Sequence, residues 1–100
     1  MSMEQNKLID NQERKRYEWR EGEHMAFIDY IRTRDKIYLT HTEVPDALAG
    51  NGVGTRMVRA ALEDVDRQQL TLIPLCPFVA LYLKRNPEWK RLVLKGINIA

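Results

Sequence analysis

The stretch LTHTEVPDALAGNGVGTRMV (residues 39–58) decides the fold, because a strand, a glycine-rich loop and a helix follow one another within it. Its first residues and those just before it are aromatic or β-branched, which favours a strand. Pro45 ends that strand because it has no backbone N–H to donate. Three glycines then occupy alternate positions: Gly50, Gly52 and Gly54. Apolar residues recur at helical spacing from Met57 to Val65, which predicts a helix that starts within the glycines or just after them.

A glycine-rich loop that leads into a helix is suited to binding phosphate. The helix N-terminus carries unpaired N–H groups and a partial positive charge, and glycine lets an anion approach the backbone. No Lys-Ser or Lys-Thr pair follows the glycines, which argues against a P-loop. Met57 stands where a dinucleotide fingerprint has its last Gly or Ala. An ordinary turn before a core helix explains the glycines equally well, so both interpretations stay open.

The composition predicts one small domain spanning residues 1–100, with 44% hydrophobic residues and a net charge of +2. Residues 1–50 carry 8 basic and 10 acidic side chains, whereas residues 51–100 carry 8 basic and 4 acidic ones. This near-neutral balance argues against a nucleic-acid partner. No apolar run is long enough for a membrane span. The single cysteine, Cys76, and the lack of a recognisable signal peptide predict a cytoplasmic location.

The rest of the chain predicts an α+β fold with a mixed, mostly antiparallel sheet. Alternating patterns predict strands at residues 14–20, 24–31 and 37–44, after a weak strand at 7–10 and a turn at 10–11. The run LTLIPL (residues 70–75) predicts a buried strand, which a helical crossover would place parallel to the third. A second helix begins at Pro77 and a short turn at Pro87, while the tail from residue 92 gives no clear prediction.

Three side chains are candidates for chemistry. Cys76 falls at the predicted N-cap of the second helix, where the dipole stabilises a thiolate, although a small core residue would also suit this junction. His41 and Glu43 are two apart on one strand and are expected to share the face of Ile37 and Leu39 at the mouth of a site. Either could accept a proton from an amine or thiol. No spacing typical of metal ligands occurs, so no metal is predicted.

The segments THTEVP, AGNGVG and PLCPFV together resemble the smallest members of the GNAT superfamily, which are N-acetyltransferase-like domains that depend on acetyl-CoA. The resemblance runs over residues 17–93. It implies a mixed sheet in which the antiparallel strands splay from a parallel pair and receive the pantetheine arm of the cofactor. It also implies that Cys76 and His41 line the acetyl end.

The same resemblance assigns a cofactor site. In the superfamily, a Gln/Arg-x-x-Gly-x-Gly/Ala loop holds the pyrophosphate. Here Ala49 replaces the first residue of that pattern, so one side-chain contact is lost and the backbone contacts remain. The loop residues implied are Gly50, Asn51, Gly52, Val53, Gly54, Thr55 and Arg56. The pantetheine arm is expected at Thr42, Val44, Pro77, Phe78 and Tyr82. The positive charge of the second half adds Arg85, with Lys84, as a candidate for the 3′-phosphate.

The predicted function is therefore an acetyl-CoA-dependent N-acyltransferase that acetylates an amine. Helices that normally close over the acceptor are not recognisable in the sequence, so the acceptor side is expected to be open and suited to a protein or peptide. The open side equally suits an alternative function, a CoA- or acyl-CoA-binding module without turnover. A protein adaptor is a further alternative.

Overall fold

Five strands and three helical segments make up residues 7–99, the part of the chain that the computed structural model describes. The strands are β1 Leu8–Asn11, β2 Arg16–Glu21, β3 His24–Arg32, β4 Lys36–Glu43 and β5 Thr71–Pro74. The helices are α1 Val53–Arg67, α2 Pro77–Arg85 and a 3₁₀ helix Pro87–Leu92. None of these helices is long and apolar enough to cross a lipid bilayer.

The strands form one sheet in the order β1-β2-β3-β4-β5. The first three pairs are antiparallel, and β4 and β5 are parallel because α1 carries the chain back between them. The α+β class, the mixed sheet and the parallel fifth strand are confirmed. The turn after β1 is shifted, since β1 extends through Asn11 and the turn lies at residues 12–15.

The hydrophobic core lies between one face of this sheet and the helices. On β3 every second side chain is buried, on β2 Tyr17 and Trp19 take the core side, and α1 presents a continuous apolar stripe to them. The largest fully buried side chains of this core include Tyr17, Ile28, Ile37, Leu39, Met57, Leu62 and Leu72. The tail also joins the sheet, because Val93 forms a parallel bridge with Leu72.

A β-bulge at Thr40 changes which side chains of β4 face the core. Tyr30 lies opposite Leu39 and Asp29 lies opposite His41, so Thr40 is an extra residue without a partner on β3. The alternation of faces therefore shifts by one residue beyond Leu39. Thr42 pairs with buried Ile28 and takes the core side. The prediction that His41 and Glu43 share the face of Ile37 and Leu39 is wrong, because the bulge moves both to the outer face.

One buried carboxylate stabilises that outer face. The side chain of Glu18 is only 3% exposed, and its Oε2 accepts hydrogen bonds from Arg16 Nε (2.8 Å) and Asn11 Nδ2 (3.0 Å). The Arg16 guanidinium lies 4.5 Å from the centre of the Phe27 ring. Burial by itself raises the pKa of the Glu18 carboxyl, but the hydrogen bonds from Arg16 and Asn11 outweigh burial and hold the pKa below its usual range.

We expect this carboxylate to make the free energy of unfolding depend on pH. Because the folded pKa is lowered, the stabilisation is complete above the ordinary glutamate value of about 4.3 and is lost as pH falls through the folded value. Urea unfolding of Glu18→Gln should show reduced stability at pH 7 and a weaker decline below about pH 5. Glu23→Gln, on the exposed β2–β3 turn, is the control. Equal acid dependence in wild type and Glu18→Gln would contradict the prediction.

Candidate functional site

The parallel strands β4 and β5 separate at Leu39. Their last paired residues are Leu39 and Pro74, and the Leu39 carbonyl accepts hydrogen bonds from both Leu75 N (3.0 Å) and Cys76 N (2.9 Å). Beyond this point β4 continues beside β3, whereas the segment that follows β5 turns away into α2. A wedge therefore opens between the end of β4 and the start of α2, which is where the sequence placed the site.

Two polar side chains meet inside this wedge. Thr42 Oγ1 lies 2.9 Å from Cys76 Sγ, and either group can donate the hydrogen. Cys76 is the N-cap residue of α2 with extended backbone angles, and Pro77 is the first helical residue, as predicted. The thiol is 3% exposed. Thr42 reaches it only because the bulge at Thr40 turns Thr42 toward the core side.

The glycine loop ends in an uncapped helix N-terminus. Gly50 and Gly52 have φ angles of 86° and 77°, a region that favours glycine, and Gly52 is the N-cap residue of α1. No side chain caps the helix and no acidic residue lies in its first turn. Arg56 N donates to Gly52 O (3.0 Å), whereas the N–H groups of residues 53–55 have no backbone acceptor within the described chain. These groups are available to an anion.

The Arg56 side chain, in the first turn of α1, contacts the same loop. One of its terminal guanidinium nitrogens donates to the carbonyl oxygen of Asn51 (3.0 Å). A Cβ atom added at Gly52 would approach that nitrogen to 3.1 Å. The loop therefore presents backbone N–H groups next to a positive charge, without a carboxylate in the first turn of α1.

A groove of about 310 Å³ lies between the glycine loop, Val44 after the end of β4, and Phe78 in the first turn of α2. Its lining residues are Val44, Leu48, Ala49, Gly50, Gly52, Val53, Gly54, Thr55 and Phe78. Gly54 and Phe78 lie in close contact across this groove, since a Cβ atom at Gly54 would be 2.6 Å from the Cζ atom of Phe78. Sequence reasoning missed Leu48 as a lining residue. The only signal for it was a single leucine in an otherwise polar and alanine-containing loop.

The other residues predicted for the cofactor lie outside this groove. Pro77 and Tyr82 do not line it, and Arg85 is exposed in the last turn of α2. At 1.5 Å per residue, Arg85 lies about 12 Å along the helix from Pro77. A ligand in the groove would have to extend along α2 to reach the Arg85 guanidinium.

The two predicted bases lie on the outer face of the sheet. His41 Nε2 is 3.4 Å from Glu43 Oε2, and both side chains are more than half exposed. The His41 ring also contacts Phe27, with ring centres 6.3 Å apart. A substrate could therefore reach these proton acceptors directly from solvent, on the side of the sheet opposite α1.

A mixed sheet that opens between parallel strands, beside a glycine loop and an uncapped helix, is the architecture of an N-acetyltransferase-like domain. The chain belongs to the GCN5-related N-acetyl-transferase family, whose model matches residues 16–92.

Among curated proteins it is similar to Protein NATD1 of Gallus gallus and of Homo sapiens, with 41% identity over 49 residues in each case. The corresponding protein of Xenopus tropicalis is 39% identical over 49 residues. The matched stretch covers 49% of this chain and 44%, 43% and 45% of these relatives, respectively. The chain therefore spans less than half the length of the curated relatives it matches.

Proposed function

We propose that the protein binds acetyl-CoA in the wedge between β4 and α2 and transfers the acetyl group to an amine. The observation that carries the proposal is the separation of β4 from β5 after Leu39, directly beside the free N–H groups of α1. Membership of an N-acetyltransferase family supports the class of reaction. Acetyl-CoA, as co-substrate, would supply the activated acetyl thioester.

The local geometry fits the parts of this cofactor. A diphosphate matches the N–H groups at residues 53–55 and the nearby Arg56. The missing side chain at Gly54 lets the Phe78 ring pack against the loop, and the groove that both residues line could receive an extended arm. The residues proposed to hold the cofactor are Thr42, Val44, Gly50, Asn51, Gly52, Val53, Gly54, Thr55, Arg56, Pro77, Phe78, Tyr82 and Arg85.

Two routes for transfer remain in the proposal. In the direct route, an amine attacks the thioester carbonyl, backbone N–H groups near Thr42 polarise that carbonyl, and His41 or Glu43 accepts the amine proton. The CoA thiolate leaves and takes a proton, for which Cys76 is a candidate donor. In the covalent route, the Cys76 thiolate attacks the thioester carbonyl first, the CoA thiolate leaves, and an acetyl-cysteine thioester forms. The amine then attacks this thioester, gives its proton to His41 or Glu43, and releases the Cys76 thiolate.

Intact-mass measurement separates these routes. Protein incubated with acetyl-CoA and no amine carries an acetyl group on Cys76 only in the covalent route. Cys76→Ser serves as the control for acetylation at other positions. The hydrogen bond between Thr42 and Cys76 positions the thiol in both routes, so it does not decide between them.

The exposed His41–Glu43 pair favours a large acceptor. Within residues 7–99, no helix precedes β4, so no described helix from the first part of the chain covers the outer face. We propose a protein or peptide amine on this side, with the cofactor entering from the side of α1. The same open face also suits a CoA-binding module without turnover. Acetylation assays with peptide amines separate the two, since the module would bind acetyl-CoA without making product.

A matched pair of glycine variants tests the cofactor site. Gly50→Ala and Gly96→Ala each place a side chain at a positive φ (86° and 98°) with open space around the new Cβ. Both should lose about 1–2 kcal/mol of stability from strain. Only Gly50→Ala should weaken acetyl-CoA binding, by about tenfold or more, since it alters the loop backbone. Thermal-shift titration with acetyl-CoA measures both effects, and equal affinities would place the cofactor elsewhere.

A further inference from the structure

A second concavity lies at the end of the sheet opposite the glycine loop. Its volume is about 430 Å³, compared with about 310 Å³ for the groove beside α1. It lies between the β1–β2 turn and the β3–β4 turn, and we call it the turn pocket. Its lining residues are Gln12, Lys15, Tyr30, Arg32, Thr33 and Arg34. Nothing in the proposed transferase chemistry uses it.

The lining of the turn pocket carries three positive side chains. Within the described chain, Lys15, Arg32 and Arg34 form no ion pair, whereas other arginines, such as Arg67 and Arg91, pair with carboxylates. Acidic residues also lie in or beside the two turns, and the exposed Glu13 on the β1–β2 turn forms no ion pair within the described chain. Asp10 accepts a hydrogen bond from the Tyr30 hydroxyl, and Asp35 pairs with Lys36 at 3.5 Å. Three cations therefore border one cavity with no carboxylate among its lining residues.

Lys15 is also held in a strained conformation. Its φ is 57°, in the left-handed region that non-glycine residues rarely adopt. Its carbonyl accepts a hydrogen bond from Tyr30 N (3.0 Å), which fixes the turn next to the pocket. A glycine would adopt this backbone without strain, so the lysine side chain reduces stability while it adds a charge at the rim.

We propose that the turn pocket binds an organic phosphate at a site separate from the acetyl-CoA site. Guanidinium groups offer paired N–H donors that match phosphate oxygens, and the lining of the pocket includes two of them, from Arg32 and Arg34. The volume exceeds what a single phosphate fills and falls within the range of small-molecule sites. A phosphate group with an organic body therefore fits the charge and the size of the pocket.

Residue-resolved NMR with inorganic pyrophosphate as the probe tests the site. We expect amide shifts at residues 12–15 and 30–34 that equimolar sodium chloride does not reproduce. Pyrophosphate that also occupies the glycine loop shifts residues 50–56, so the two sites are read independently. Citrate, which offers carboxylates in place of phosphates, is the comparison ligand and should bind more weakly than pyrophosphate. An absence of specific shifts at the turns, or equal affinity for citrate, would overturn the proposal.

Three variants separate binding from folding. Lys15→Gly should raise the melting midpoint and weaken pyrophosphate binding at the turns about tenfold. Gln69→Gly relieves a similar strain, since Gln69 has a φ of 59°, and should raise the midpoint without changing that binding. Arg14→Gln removes one charge from the same turn but not from the pocket lining. If Arg14→Gln and Lys15→Gly weaken binding equally, the effect is general electrostatics and the proposed site is wrong.

Discussion

A Gly54→Val variant is expected to lose at least about 100-fold in acetyl-CoA affinity, which corresponds to about 2.7 kcal/mol. Even a single added carbon at this position would lie 2.6 Å from Cζ of Phe78 and 3.3 Å from Cγ2 of Val44. The valine side chain would therefore either displace the Phe78 ring or project into the groove that Gly54 and Phe78 line. Isothermal titration calorimetry measures the loss, and circular dichroism confirms that the variant is folded.

Combining Gly54→Val with Phe78→Ala shows whether the added valine blocks the groove itself or acts only by displacing the Phe78 ring. Phe78 is 40% exposed, so its ring can swing outward when Gly54 gains a side chain. If ring displacement is the whole effect, Phe78→Ala alone should bind as weakly as the double variant. If valine occupies the path of the cofactor, the double variant should bind more weakly than Phe78→Ala. Wild-type affinity in Gly54→Val would exclude this groove as the cofactor site.

Leu39→Ala is expected to give the largest loss of folding stability, about 2–5 kcal/mol. Leu39 is fully buried and lies where β4 and β5 separate, so its truncation leaves a cavity at the inner end of the wedge. Such a loss is a large fraction of the stability of a small domain. Urea unfolding at neutral pH measures the change in the free energy of unfolding.

Leu81→Ala is the matched control for Leu39→Ala. Both changes remove the same atoms, but Leu81 is 45% exposed on α2 and should cost much less. Comparable losses in the two variants would contradict the packing described for β4. The Leu39 carbonyl, which accepts hydrogen bonds from Leu75 N and Cys76 N, is present in both variants. The comparison therefore measures the effect of burying the leucine side chain.

The sequence predicted those parts of the fold that local physics controls. Pro77 after an apolar run marks the start of α2, and Cys76 therefore takes the N-cap position as expected. The alternating patterns predicted strands where β2 and β3 are found, and Tyr17 and Ile28 lie on their buried face. The three glycines predicted the loop, because glycine adopts the φ values found at Gly50 and Gly52 without strain. The start of α1 at Val53, directly after Gly52, lies within these glycines.

The parts that failed depend on partners distant in the chain. Nothing in Leu39 or Thr40 marks a bulge, since the extra residue is defined only by the register against Asp29 and Tyr30. The faces of His41 and Glu43 consequently could not be read from β4 alone. Val93 joins Leu72 for the same reason, through a tertiary contact that no local pattern encodes.

The wedge leaves an unpaired backbone edge on the second half of β4. No residue of β5 or α2 is hydrogen-bonded through its backbone to residues 41–43. A ligand that carries amide groups, as pantetheine does, could satisfy this edge in the way that an added peptide strand completes a sheet. Under the proposed function, the cofactor would therefore serve as a temporary strand. Release of CoA would leave the end of β4 paired on one side only, and hydrogen exchange at residues 41–43 should be faster in the CoA-free protein than in the complex.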